Sequence, residues 1–279
     1  MIITQFLGVF RAARVLLHLL YGLTIATVFP RFNQVWRRRI QRRWSVDLLK
    51  ILNVTVDIPA GNPMTTLCSG IIVTNHISWL DVFVLNAVTP TRFVAKSEVR
   101  NWPLIGWLCA QAQTLFIERG RARDAARINK QVVEMLHEGD CLAVFPEGTT
   151  TDGTKVTVFH ASLLQPAVDA KALVHPVVIR YQDAQGVHST DAAYIDDVSF
   201  GASLWNILSC HNLHVRLVAT PSLNAAGSDR RTLTRMAQRQ ISETLEIMHA
   251  ARHISADTAV EHPLDEHLQS IYVAPPAAA

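Results

Sequence analysis

From about residue 67 onward, short apolar runs alternate with longer stretches in which apolar residues recur every three or four positions. The runs Ile71–Val73, Arg92–Ala95, Thr114–Ile117, Cys141–Phe145 and Ala172–Arg180 are each short and apolar enough to read as buried strands. Between them, Ala122–Glu138 and Phe159–Ala170 carry helical spacing, and a later strand at Leu213–Ala219 precedes a helix over Arg230–Met248. Alternating strands and helices predict an α/β domain on a mostly parallel sheet flanked by helices, because parallel neighbours need a crossover between them.

The chain opens differently. Residues 1–32 are apolar but broken by Arg11, Arg14 and His18, so the longest uncharged stretch, Val15 to Pro30, falls short of the roughly 20 residues a spanning helix needs. A tilted or snorkelling span, an interfacial helix and a cleaved signal peptide all fit such a segment, although no small-x-small cleavage site follows it. Behind it lies R-F-N-Q-V-W-R-R-R-I-Q-R-R-W, residues 31–44, where arginines interleave with tryptophans. Beside an apolar segment this suits an anionic leaflet, each cation contributing about 1 kcal/mol, with Trp36 and Trp44 at the headgroup boundary. Nucleic acid is the other partner class for basic runs, but no nucleic-acid motif accompanies this one, so none is expected.

Charge sharpens the division. Residues 1–50 hold nine Arg and Lys against one acid, whereas the remainder holds seventeen against twenty-two. With 49% apolar and 18% charged residues the chain is more apolar than most soluble proteins, again pointing to a membrane neighbour. The organisation expected is a membrane-associated helical segment over 1–50 with its arginine-rich juxtamembrane cluster, a domain over 51–252 and a loose tail over 253–279. Cys68, Cys109, Cys141 and Cys210 are scattered through apolar stretches with no metal-ligand spacing, so buried thiols in a reducing compartment and no metal are expected.

The chemistry gathers where strands end. T-N-H-I-S-W-L-D, residues 74–81, follows Ile71–Val73, and Ser78-x-x-Asp81 has capping-box spacing for a helix beginning near Trp79. Two helical residues five apart diverge by about 140°, so His76 must precede the helix if its ring is to meet Asp81. From that turn the carboxylate fixes one ring nitrogen as donor and leaves the other as a base. Helix capping alone accounts equally for Asp81. A second strand ends in F-P-E-G-T-T, residues 145–150, with Glu147 in a tight turn, and a third in F-I-E-R-G, where Arg119 can fork onto a phosphate or simply pair with Glu118. No G-x-S-x-G nucleophile elbow supports a serine lipase or thioesterase.

The ordered blocks N-H-I-S-W-L-D, F-I-E-R-G, F-P-E-G-T-T and Val174-His-Pro-Val177, over about residues 67–181, resemble the glycerolipid acyltransferases, the 1-acylglycerol-3-phosphate O-acyltransferase family. Lys96 and Trp102-Pro-Leu-Ile-Gly106 extend the resemblance. It implies that His76 is the general base that deprotonates the acceptor hydroxyl, that Asp81 orients it, and that the acyl donor is acyl-CoA or acyl-carrier protein, with no other cofactor. It further implies substrate-binding places for Asn75, Lys96, Arg119, Glu147, Gly148, Thr149 and Thr150, with Arg119 on phosphate and Asn75 shaping the turn. The acceptor implied is a lysolipid at the membrane phospholipid surface, most directly 1-acylglycerol-3-phosphate, on the cytoplasmic face of an inner membrane. One departure stands out: Thr150 occupies the place of the family's usual arginine, which is associated with the acceptor phosphate. Lys155 is a candidate substitute cation, and the F-P-E-G-T-T form with Ser199-Phe-Gly-Ala-Ser-Leu-Trp205 is similar to the branch that includes lyso-ornithine lipid acyltransferases. His160, Ser162 and His175 are expected to be structural.

Overall fold

The computed structural model describes residues 2–67, 69–118 and 121–250. Two long helices, α1 (Ile2–Val28) and α2 (Gln34–Ile51), precede the first strand, β1 (Val54–Asp57). The chain then runs through β2 (Gly70–Thr74), α3 (Asp81–Val88), β3 (Arg92–Lys96), α4 (Ile105–Gln111), β4 (Leu115–Ile117), α5 (Ala122–His137) and β5 (Cys141–Val144). It continues with α6 (Gln165–Ala170), β6 (Leu173–Gln182), α7 (Phe200–Ser209), β7 (Leu213–Ala219), β8 (Leu223–Asn224) and α8 (Arg230–Ala250).

The strands form one sheet in the order β1-β7-β6-β2-β5-β3-β4, with β8 on β6. Pairing is parallel except between β6 and its partners β7 and β8. The α/β architecture is therefore as the strand pattern predicts. Ile71, Ile72 and Val73 of β2 are fully buried because helices cover both faces: α1, α2, α3 and α7 share one apolar core with the sheet, and α5, α6 and α8 the other. The helix expected over 159–170 is shorter: Phe159 and His160 are non-helical, a 3-10 turn covers Ala161–Leu164, and α6 starts at Gln165 with Pro166 in its first turn. His160 and Ser162 are both exposed there. The expected tail over 253–279 lies outside the described residues.

The two N-terminal helices pack on the domain. Along α1, Gly8, Val15, His18, Gly22 and Ala26 are buried, and Arg11 joins the same inward stripe at intervals of three and four residues. Arg11 Nη1 donates to the carbonyls of Leu208 at 2.9 Å and Cys210 at 2.6 Å, satisfying the C-terminal end of α7. The His18 ring stacks on Trp44 of α2 at 4.6 Å, and a Cβ at Gly22 would come within 2.6 Å of the Trp44 ring. Glycine at 22 is thus what lets the two helices approach. The outward stripe is the more apolar one: Val9, Phe10, Leu16, Leu17, Leu20 and Tyr21 are all at least half exposed. Of the polar interruptions, Arg11 and His18 face protein while Arg14 is exposed beside Phe10, and the large apolar side chains face outward.

The arginine cluster is also partly inward. Arg38 pairs with the buried Asp140 at 2.9 Å, Arg92 meets the same carboxylate at 2.7 Å, and Arg42 donates to the Ala87 carbonyl at the end of α3. Arg31, Arg39, Arg42 and Arg43 remain exposed.

Candidate active site

The sheet order explains why distant blocks meet. β2 lies between β5 and β6, and Val73 is in register with Val144 while Thr74 is in register with Val177. Three residues past the first pair stand His76 and Glu147, so both side chains leave adjacent strands at the carboxyl edge, where α/β sheets place their ligand crevices. Four residues past Val177 stands Tyr181.

The His76 Nδ1 to Asp81 Oδ2 distance is 2.8 Å, with Asp81 fully buried and the histidine side chain 20% exposed. An ionised carboxylate only accepts, so Nδ1 carries the proton and Nε2 is left with a free lone pair. Asp81 Oδ2 also accepts the backbone N–H groups of Ile77 at 2.8 Å and Ser78 at 3.0 Å, and Oδ1 accepts the Tyr181 hydroxyl at 2.7 Å. Four donors thus hold one carboxylate. Burial, and then the Asp81 charge, push the Tyr181 phenol well above its ordinary pKa, which keeps it a donor.

The helix begins later than the sequence predicts, at Asp81 and not near Trp79, with Leu80 at its N-cap position and no side-chain cap. Ser78 is therefore not the cap: its hydroxyl takes the Leu80 N–H at 3.3 Å, and only the reverse half of the capping box forms, Ser78 N–H to Asp81. The physical reason is that the Asp81 carboxylate is aimed backward at the turn, where it organises His76 and the two residues after it. His76 lies nearly parallel to the Phe145 ring at 3.9 Å, and Phe145 in turn on Phe93 at 6.2 Å.

Glu147 is buried, and both of its oxygens are occupied within the chain. Oε1 accepts the His76 backbone N–H at 2.8 Å, and Oε2 accepts the Thr157 N–H at 2.9 Å and hydroxyl at 2.6 Å. Gly148 follows at φ 71°, a left-handed conformation that glycine adopts without strain. Asn75 is also buried, and its side-chain amide exchanges two 2.9 Å hydrogen bonds with the backbone of Ile179, extending the β2–β6 ladder past the last strand residue. Thr151 N–H donates to the His76 carbonyl at 2.8 Å. The Thr150 hydroxyl is bonded to the Tyr194 carbonyl, while Tyr194 N–H donates to the Ile77 carbonyl at 2.9 Å, so the segment around Tyr194 is laced to both loops.

The remaining residues sit farther out on the same edge. Lys96, in register with Ile117, ends β3 and is exposed, as are Thr149 and Lys155. Arg119 lies outside the described residues, as do Gly120 and Cys68. His175 is buried at the opposite end of the sheet between Ser222 at 2.7 Å and the Ser69 carbonyl at 2.8 Å, and burial lowers its pKa. Ser199 caps α7, Ser203 accepts the Trp79 indole N–H at 3.1 Å, and Trp205 meets Gly8 of α1, so that motif joins the N-terminal helix to the histidine turn. Tyr181, Phe145 and Thr157 did not stand out in the sequence, since each is an ordinary strand or loop residue until strand order sets it beside the dyad. Among the described residues no group of three or more His, Cys, Asp or Glu could hold a metal ion.

A carboxylate-oriented imidazole with one nitrogen free, on the carboxyl edge of a mostly parallel sheet, is a geometry that α/β enzymes can use for general base catalysis. Comparison with known proteins narrows it. The family model described as Acyltransferase matches residues 63–180. The lyso-ornithine lipid O-acyltransferase of Pseudomonas aeruginosa is 37% identical over 205 residues, covering 74% of this chain and 78% of the relative. The 1-acyl-sn-glycerol-3-phosphate acyltransferase of Neisseria meningitidis is 37% identical over 177 residues, 63% of this chain and 69% of the relative. The crystal structure of the 1-acyl-sn-glycerophosphate acyltransferase PlsC from Thermotoga maritima shares the fold, with a TM-score of 0.59 at 21% identity over 86% of this chain and 98% of that one. The chain belongs to the acyltransferase family and is an acyltransferase.

Proposed function

We propose that the enzyme moves a fatty acyl group from the thioester of acyl-CoA or acyl-carrier protein to the free hydroxyl of a lysolipid, with 1-acylglycerol-3-phosphate as acceptor. The observation that carries this reading is the 2.8 Å His76–Asp81 contact at the strand end. His76 Nε2 takes the hydroxyl proton as the oxygen attacks the thioester carbonyl. The tetrahedral intermediate then collapses, the C–S bond breaks, and the departing thiolate recovers the proton from the imidazolium. Asp81 stabilises that cation in between. Gly148, Thr149, Lys96 and Arg119 are the proposed acceptor contacts, whereas Asn75 and Glu147, their polar atoms already bonded to backbone, hold the turn that carries His76.

A second acceptor, a lyso-aminolipid such as lyso-ornithine lipid, is favoured by one observation. Thr150 stands where a phosphate-binding arginine is usual, and its hydroxyl is bonded to the Tyr194 carbonyl. The test is an acceptor panel of lysophosphatidic acid, lyso-ornithine lipid and neutral lysolipids with one acyl-CoA, run on wild type and Thr150→Arg with His76→Ala as the inactive control. Under the first reading lysophosphatidic acid leads in both active proteins. Under the second, lyso-ornithine lipid leads in wild type and the substitution shifts preference at least tenfold toward the phosphate, a charged hydrogen bond contributing about 1.5–3 kcal/mol. Transfer to none of these acceptors would sink both.

We further propose that α1 lies in one leaflet with its outward stripe in the lipid, on the cytoplasmic face. A soluble helix would bury its leucines, whereas α1 leaves Leu16, Leu17 and Leu20 exposed while Arg11 turns in to α7; it also touches α2, α4 and α7 along its length, which suits lying on a surface more than crossing one. Leu17→Glu combined with Leu20→Glu is expected to reduce cosedimentation with phosphatidylglycerol-containing vesicles at least about tenfold, from the roughly 1.5–3 kcal/mol each buried leucine contributes. Unchanged binding would remove α1 from the contact.

A further inference from the structure

We infer that Tyr181 is a positioning residue of the reaction, acting through Asp81 to set both the direction and the basicity of His76. Its place in the fold is specific. β6, Leu173–Gln182, contributes an outwardly unremarkable run, buried from Val174 to Tyr181, in which Val177, Val178 and Ile179 simply pack the two cores. Tyr181 is fully buried like them, but its hydroxyl reaches Asp81 Oδ1 at 2.7 Å. The opposite oxygen, Oδ2, is the one shared by His76, Ile77 and Ser78. Removing the phenol would leave Oδ1 of a buried carboxylate without this donor and free the group to rotate about its terminal torsion, which is intrinsically soft. The hydroxyl therefore does for Asp81 what Asp81 does for His76.

The electrostatic effect has a definite sign. A hydrogen bond to Oδ1 draws negative charge away from the carboxylate, so less of it faces the imidazole and the imidazolium is favoured less. Without the hydroxyl, His76 should hold its proton to a higher pH. The other titratable group bonded to this turn is Glu147, which reaches the His76 backbone N–H and is unaltered by a change at Tyr181.

The inference rests on the general-base reading, and the experiment separates the two. Tyr181→Phe removes one oxygen and keeps the ring that fills the core. In imidazole NMR titrations, with the His76 resonance identified by its loss in His76→Gln, the His76 pKa is expected to rise in Tyr181→Phe. In steady-state transfer from oleoyl-CoA to whichever lysolipid the panel selects, kcat should fall about tenfold with KM little changed, in the range typical of partners that orient a reactive ligand or base. In the Asp81→Ala background the same substitution should add almost nothing to the loss of kcat, because its route is gone. A role in packing alone would leave the His76 titration unmoved and add its cost in both backgrounds, and either result overturns the proposal. If wild type transfers no acyl group at all, the functional reading falls while the NMR arm still decides whether Tyr181 governs His76.

Discussion

Asp81→Asn is expected to lower kcat by about 10² to 10⁴ with little change in melting temperature. Oδ2 is surrounded by three donors, the His76 Nδ1–H and the backbone N–H groups of Ile77 and Ser78, so an asparagine must place its carbonyl oxygen there. Its amide nitrogen then falls on the Oδ1 side, where Tyr181 can turn its hydroxyl to accept. Every hydrogen bond survives in some form, and the turn keeps its shape. What disappears is the negative charge that stabilises the imidazolium as it forms. Paired measurements of thermal unfolding and of single-turnover acyl transfer test this, and activity within a few-fold of wild type would show that His76 works without a charged partner.

Glu147→Ala should damage both folding and turnover. The backbone N–H of His76 would lose a buried acceptor, at a cost of about 1–3 kcal/mol, the exposed Thr157 would lose its anchor, and the loop after β5 would no longer be tied to the loop after β2. At roughly 2–4 °C per kcal/mol for a chain of this size, the melting temperature should fall by about 5 °C, and kcat by at least tenfold. Glu147→Gln keeps one accepting oxygen and should recover part of each loss. The alternative role, a direct contact to the acceptor, makes the opposite prediction: KM for the lysolipid would rise while thermal unfolding stayed put. Kinetics and calorimetry on the same two variants therefore decide what this carboxylate is for.

The α5 and α8 helices and the buried strands were legible because their pattern is local. Alternating or continuous burial writes itself into three to five consecutive apolar residues, and a helix face into the spacing of Ile128, Val132 and Met135. The His76–Asp81 pair was legible for the same reason, since five residues of chain are enough to close it. The 159–170 segment was harder, because Pro166 sits comfortably in a first turn and the pattern alone does not say which residue opens the helix. N-terminal polarity misled in a more instructive way. Arg11 and His18 look like breaks in a membrane segment, yet they bond to the Leu208 and Trp44 carbonyls, so it is their neighbours that face outward.

The sequence by itself determined the α/β class, the histidine turn and its acidic partner, all of which depend on contacts between residues a few positions apart. Only the tertiary structure decided which strands flank β2, and with them that Glu147, 71 residues from His76, holds its backbone and that Tyr181, 100 residues from Asp81, holds its carboxylate. The reason is that a strand's composition records that it is buried but not beside which neighbour. Parallel strands are joined by long crossovers, so their lateral order, and every polar contact that crosses it, is settled by how the helices pack on both faces of the sheet.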